Sequence, residues 1–167
     1  MNTERMLNYR PVGDIDRTTA ETIAKFLNHT LANEYALFTK TLNYHWNITG
    51  PRFHSIHNFL EGQYKNQLKV MDDIAERVRV LDETPISTVS KMSETHDILE
   101  VNGQNLSSND MLLDLFGTNL KIQDNMKNFI KENGEILKED PVTEDFIIGL
   151  LGDHEKVSWM LKSHLKN

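Results

Sequence analysis

The stretch Tyr44–Arg77, YHWNITGPRFHSIHNFLEGQYKNQLKVMDDIAER, holds His45, His54 and His57, three of the seven histidines of the chain, and ends in a carboxylate-rich helical pattern. Two long periodic segments meet inside it. Upstream, TTAETIAKFLNHTLANEYALFTKTLNYHW places Ile23, Leu27, Leu31, Tyr35, Phe38 and Leu42 at steps of three or four, the period of an amphipathic helix. Thr18 to Glu21 reads as its capping box. NITGPRF breaks the pattern, with Pro51 suited to the first turn of a new helix. From about Phe53 to Leu81, Ile56, Leu60, Tyr64, Leu68, Met71, Ile74, Ala75 and Val78 form the apolar stripe of a second helix, which DETP stops.

Further along, Ser107 to Asp110 is another helix-entry pattern and leads into MLLDLFGTNLKIQDNMKNFIKEN. Asp140 and Pro141 serve as cap and first turn of a fourth helix carrying Ile147, Leu150, Leu151, His154, Val157, Leu161 and Leu165. Short links join the first helix to the second and the third to the fourth, so each pair is antiparallel. About 25 residues separate the second from the third, enough to cross the length of a bundle, and ISTVSKMSE within them is a candidate short helix. The predicted fold is therefore all-α: a ferritin-like four-helix bundle with a long crossover, carrying a short helix, between its second and third long helices. An up-down-up-down bundle has no use for that crossover. Residues 1–17 are expected to be a flexible tail and 18–167 the bundle domain.

Composition narrows the function classes. The 167 residues suffice for one core without disulfides or a structural metal. With no cysteine, thiolate zinc sites, iron–sulfur clusters and thiol catalysis are excluded. The net charge of −7 disfavours non-specific nucleic-acid binding and suits cations. The start of the sequence lacks the apolar core of a signal peptide and no apolar run is long enough to span a bilayer, so the expected location is the cytoplasm, with no membrane partner.

The ligand-type side chains of the second helix lie on one side of it. With His57 at zero, a wheel of about 100° per residue puts Glu61 near 40°, Asp72 near 60° and Glu76 near 100°. Along the axis they do not meet. At about 1.5 Å per residue His57 and Asp72 are roughly 22 Å apart, against metal–ligand bonds of ~2 Å. A second copy packed antiparallel about a two-fold axis near Asn66 and Gln67 removes the difficulty, setting His57 and Glu61 of one chain opposite Asp72 and Glu76 of the other, twice per dimer. His45, just across the short turn, reaches the His57 end. Two imidazoles with three carboxylates suit Fe(II), Mn(II) or Zn(II) better than Ca(II) or Cu(I).

HWNITG, FHSIH, Glu61 and DDIAER, in this order and spacing, resemble the Dps family of miniferritins, and HEKVSWML resembles that family's final helix. The likeness runs from about Thr18 to Leu165. It implies that His45, His57 and Glu61 form one half of a ferroxidase site and Asp72 and Glu76 the half donated by the two-fold partner, with Glu61 standing where many members have Asp. It further implies a dodecameric hollow shell that oxidises Fe(II) to Fe(III), typically with hydrogen peroxide, stores the ferric mineral and so protects against oxidative damage. Taken singly, each of the five residues reads as a solvated carboxylate or a surface histidine; their joint spacing favours the metal site. No histidine has Glu three residues before it, which disfavours the Glu-x-x-His centres built inside a single bundle.

His54 is expected at the surface and His154 in the interior, hydrogen-bonded. Trp46 is a possible electron donor whose commoner role is packing. Glu139, Asp140, Glu144 and Asp145 read either as lining of an iron entry pore or as complements to a helix N-terminus. The rival function is DNA compaction as a nucleoid protein, which some members of the family perform through Lys-rich tails. Here Arg5, Arg10 and Arg17 are balanced by Glu4, Asp14 and Asp16, and the chain end offers only Lys162 and Lys166, so strong direct DNA binding is disfavoured.

Overall fold

A computed structural model describes residues 15–101 and 106–165. The helices are α1 (Arg17–Asn47), α2 (Phe53–Val80), α3 (Val89–Thr95), α4 (Ser108–Glu132), α5 (Gly134–Leu137) and α6 (Pro141–Leu165). The all-α class holds, α3 falls where the crossover helix is expected, and α5 adds one turn to a stretch read as a simple break. Most of the tail expected over residues 1–17, and Lys166 at the other end, lie outside the described residues.

Helix ends follow local hydrogen bonding. The α1 cap is Asp16, not Thr18: its Oδ1 accepts from the backbone N of Thr18 at 2.9 Å and of Thr19 at 3.1 Å. A carboxylate two residues upstream is a strong acceptor for these orphan donors, so the helix starts at Arg17. At the α2 end Asp82 adopts a left-handed φ of 60°, and the Glu83 N–H turns back to the Val78 carbonyl at 3.2 Å. Ser107 and Asp110 form the expected capping box of α4.

Side-chain contacts give the direction of each helix. Phe26 stacks on Phe129 at 3.8 Å between ring centroids, while Tyr44 Oη donates to Asp114 Oδ2 at 2.6 Å, so α1 and α4 are antiparallel. Arg77 binds both Asp140 oxygens at 2.8 Å and Thr143 Oγ1 at 2.6 Å; at the opposite end Arg52 donates to the His164 carbonyl at 2.6 Å. Helices α2 and α6 are therefore antiparallel as well. Arg52 also bonds Asn109, which sets the start of α2 beside the start of α4. The order is up, down, down, up, and the crossover is what allows α2 and α4 to run parallel.

Two amides of α1 hold that crossover down. Asn28 bonds the Thr84 carbonyl at 3.2 Å and the Ile86 N–H at 2.9 Å, and buried Asn33 accepts from the Asp97 N–H at 3.0 Å. The core gathers Leu27, Leu31, Ile56, Leu60, Ile74, Val78, Leu112, Ile122, Met126 and Ile147, all buried. Two positions of the α2 stripe are exchanged: Gln67 is buried and donates to Thr41 Oγ1 at 3.2 Å, whereas Leu68 is 49% exposed. Among the described residues no helix is long and apolar enough to cross a membrane.

Candidate metal half-sites on the second helix

The link between α1 and α2 is five residues long. Ile48 is buried and pins its start, Gly50 takes a φ of 103° that disfavours any side chain, and the Phe53 N–H closes on the Gly50 carbonyl at 2.9 Å. This corner brings His45, in the last turn of α1, against His57, in the second turn of α2. Their rings stack at 3.8 Å between centroids and 23° between planes.

Each imidazole is oriented by the other residue's backbone. His45 Nδ1 lies 3.1 Å from the His57 carbonyl oxygen and His57 Nδ1 lies 3.0 Å from the His45 carbonyl oxygen. A carbonyl only accepts, so both Nδ1 atoms carry the proton in the neutral rings and both Nε2 atoms present a lone pair. An N–H bonded to a backbone carbonyl is also the usual outer support of a metal-bound histidine. The His45 carbonyl belongs to the end of α1, where intrahelical donors run out, so the same bond satisfies an otherwise orphaned acceptor. Phe53 packs on the His57 ring at 5.0 Å, and Tyr64 meets the His45 ring edge-on at 5.2 Å.

Glu61, one turn beyond His57, is ion-paired to Lys65. The Lys65 hydrogen bond and charge hold the Glu61 carboxyl below its ordinary range, and the charges of His45 and His57 add in the same direction. Asp72 and Glu76 sit about two turns and one turn from the far end of α2, exposed and without an ion pair or side-chain hydrogen bond to another described residue. The structure thus brings His45 to His57, with Glu61 on the next turn, and leaves Asp72 and Glu76 apart, roughly 22 Å along the axis from His57 to Asp72. Among the described residues no three imidazole or carboxylate side chains of one chain converge to metal-binding distance.

The other singled-out residues sort clearly. His54 is exposed and accepts from Asn58 Nδ2 at 3.2 Å. His154 is interior, as expected: Nε2 lies 2.6 Å from Glu34 Oε1 and Nδ1 lies 2.8 Å from Asn119 Oδ1. Trp46 is 70% exposed, so within one subunit it has no packing role. Asp140 caps α6 and is clamped by Arg77, which accounts for it without a pore. Sequence reasoning missed Lys65 and the packing of Phe53 and Tyr64 on the imidazoles; the Glu–Lys spacing of four was the available signal for the first.

The ferritin-like domain family matches residues 24–167. A low temperature-induced protein of Nostoc sp. is 33% identical over 144 residues, 86% of this chain and 80% of that one. The DNA protection during starvation protein of Listeria innocua is 30% identical over 142 residues, 84% of this chain and 90% of that one. The crystal structure of the Dps protein from Vibrio cholerae superposes with a TM-score of 0.84 at 26% identity, covering 91% of this chain and 94% of that one. The chain belongs to the ferritin-like family and, within it, to the Dps proteins.

Proposed function

We propose that the protein is an iron-storage and detoxification miniferritin that oxidises Fe(II) at centres shared between two subunits, preferentially with hydrogen peroxide, and keeps the ferric mineral inside a dodecameric shell in the cytoplasm. The observation that carries the reading is the stacked His45–His57 pair. Its two Nε2 lone pairs are fixed by reciprocal backbone bonds beside Glu61, while Asp72 and Glu76, with no ion pair among the described residues, stand on the same helix, where an antiparallel second copy needs them. The Vibrio cholerae structure is described as a member of a broad superfamily of ferritin-like diiron-carboxylate proteins, which agrees with this donor set.

Iron is the substrate and the cargo. The imidazoles help retain Fe(II), and the anionic carboxylates favour Fe(III) as harder ligands, which lowers the potential and assists oxidation. Two Fe(II) ions together supply the two electrons that convert one peroxide and two protons into two waters, so no hydroxyl radical is released. In anaerobic Fe(II) loading followed by peroxide, on the sized assembly, about one peroxide should be consumed for every two irons oxidised, much faster than in protein-free buffer. Oxidation no faster than in buffer would overturn the reading.

DNA compaction as the main function has no side-chain arrangement in its favour among the described residues. Duplex DNA should therefore migrate unchanged beside the protein at neutral pH and physiological salt, without bridging metal. Tight binding that weakens steeply with added salt would contradict this expectation.

A further inference from the structure

Among the described residues, Lys65 is the one cation that the structure places on a candidate ligand. Its ammonium is ion-paired to Glu61, one turn back along α2, with Glu on the N-terminal side, the favourable orientation for such a pair. Other exposed pairs occur at Arg17–Glu21, Lys91–Glu94 and Lys138–Glu135, and their role is ordinary helix-surface stabilisation. The Glu61–Lys65 pair differs in where it sits. Its carboxylate is 38% exposed beside two imidazoles with outward lone pairs, and Lys65 itself falls near 80° on the helical wheel that puts Asp72 near 60° and Glu76 near 100°. Lys65 is thus on the ligand side of α2, where a second copy would bring further negative charge.

Resting on the shared-site reading above, we propose that Lys65 is the resident counter-cation of the metal-free site: it neutralises Glu61 until a divalent metal displaces it, and so sets the metal affinity of that half-site. A metal and an ammonium compete for the same carboxylate charge: a metal that takes Glu61 Oε1, alone or together with Oε2, displaces the Lys65 ammonium, and one held by Oε2 alone is repelled by it. An exposed pair is of modest strength, so the competition tunes affinity without blocking it.

The test is calorimetric titration of the assembled full-length protein with Zn(II), which binds such donors without redox chemistry. Lys65→Gln should bind Zn(II) on the order of two- to five-fold more tightly than wild type at low salt, the range that the strength of an exposed pair converts to. The difference should shrink at about 1 M salt, where the ion pair is already screened. Lys65→Arg should bind no more tightly than wild type, because a guanidinium holds a carboxylate at least as well. Glu61→Gln separates the two readings. If Glu61→Gln binds Zn(II) like wild type, the site itself is misassigned. If Glu61→Gln weakens binding while Lys65→Gln binds no tighter than wild type, or Lys65→Arg binds tighter, the counter-cation role is overturned and the site stands.

Discussion

Verified heterodimers of one His57→Ala and one Asp72→Ala subunit should recover about half of the wild-type rate of Fe(II) oxidation, although each parent homodimer loses at least about tenfold. In either homodimer both composite sites lack a ligand. In the heterodimer one site lacks both His57 and Asp72, while the other is built from the two unmutated ends and is complete. The roughly 22 Å between these residues along α2 is what makes such complementation possible; ligands of one compact site do not complement in this way. Subunits are exchanged by controlled dissociation and reassembly, with composition checked by mass spectrometry and wild-type protein taken through the same cycle. Heterodimers as inactive as both parents, beside a recovered wild-type control, would show that the ligand halves are paired wrongly.

The second large effect concerns stability. Glu34 and His154 meet in the centre of the bundle, both buried, and Asn119 Oδ1 accepts from the other ring nitrogen at 2.8 Å. Glu34→Ala should destabilise the fold by about 3–5 kcal/mol, because it leaves a buried imidazole that has lost its counter-charge and cannot reach water. Denaturant unfolding at matched protein concentration measures this, and a loss under about 1 kcal/mol would refute the role of the pair. A pH dependence follows from the same contact. Burial alone would lower the His154 value, but the charge and hydrogen bond of Glu34, with help from Asp153, outweigh it and leave the value raised. The folded state therefore holds this proton more tightly than the unfolded chain. Its contribution is complete below the ordinary histidine range and is lost as pH rises through the raised folded value.

What the sequence made legible was periodic or local. Helical period, the Ser107–Asp110 and Asp140–Pro141 starts, and the short-long-short links sufficed for the bundle and its crossover. The same arithmetic placed His57, Glu61, Asp72 and Glu76 on one side of one helix. The reciprocal bonds between His45 and His57 were not legible, because they depend on the turn geometry at Gly50 and on carbonyls that every residue possesses. Gln67 turned inward where Leu68 was expected because Thr41 Oγ1 accepts from its amide nitrogen, a partner that periodicity does not encode, while its buried Oε1 has no partner among the described residues. Likewise Glu34, Asn33 and Lys40 sit in the interior of α1 only because residues far along the chain, His154, the Asp97 backbone and Asp114, supply their partners. Periodicity records which face is buried and says little about which polar groups find company there.

Helix α2 runs without interruption from Phe53 to Val80, and so acts as a ruler between its two ends. Removing one residue between Glu61 and Asp72 would turn the far carboxylates by about 100° and draw them in by about 1.5 Å relative to the histidines. No side-chain rotation restores both quantities, and in a two-fold assembly the error is incurred at both sites. Changes of length are tolerable in the crossover, where backbone can be let out or taken in, but over the eleven steps from Glu61 to Asp72 the length of the chain is itself a dimension of the site.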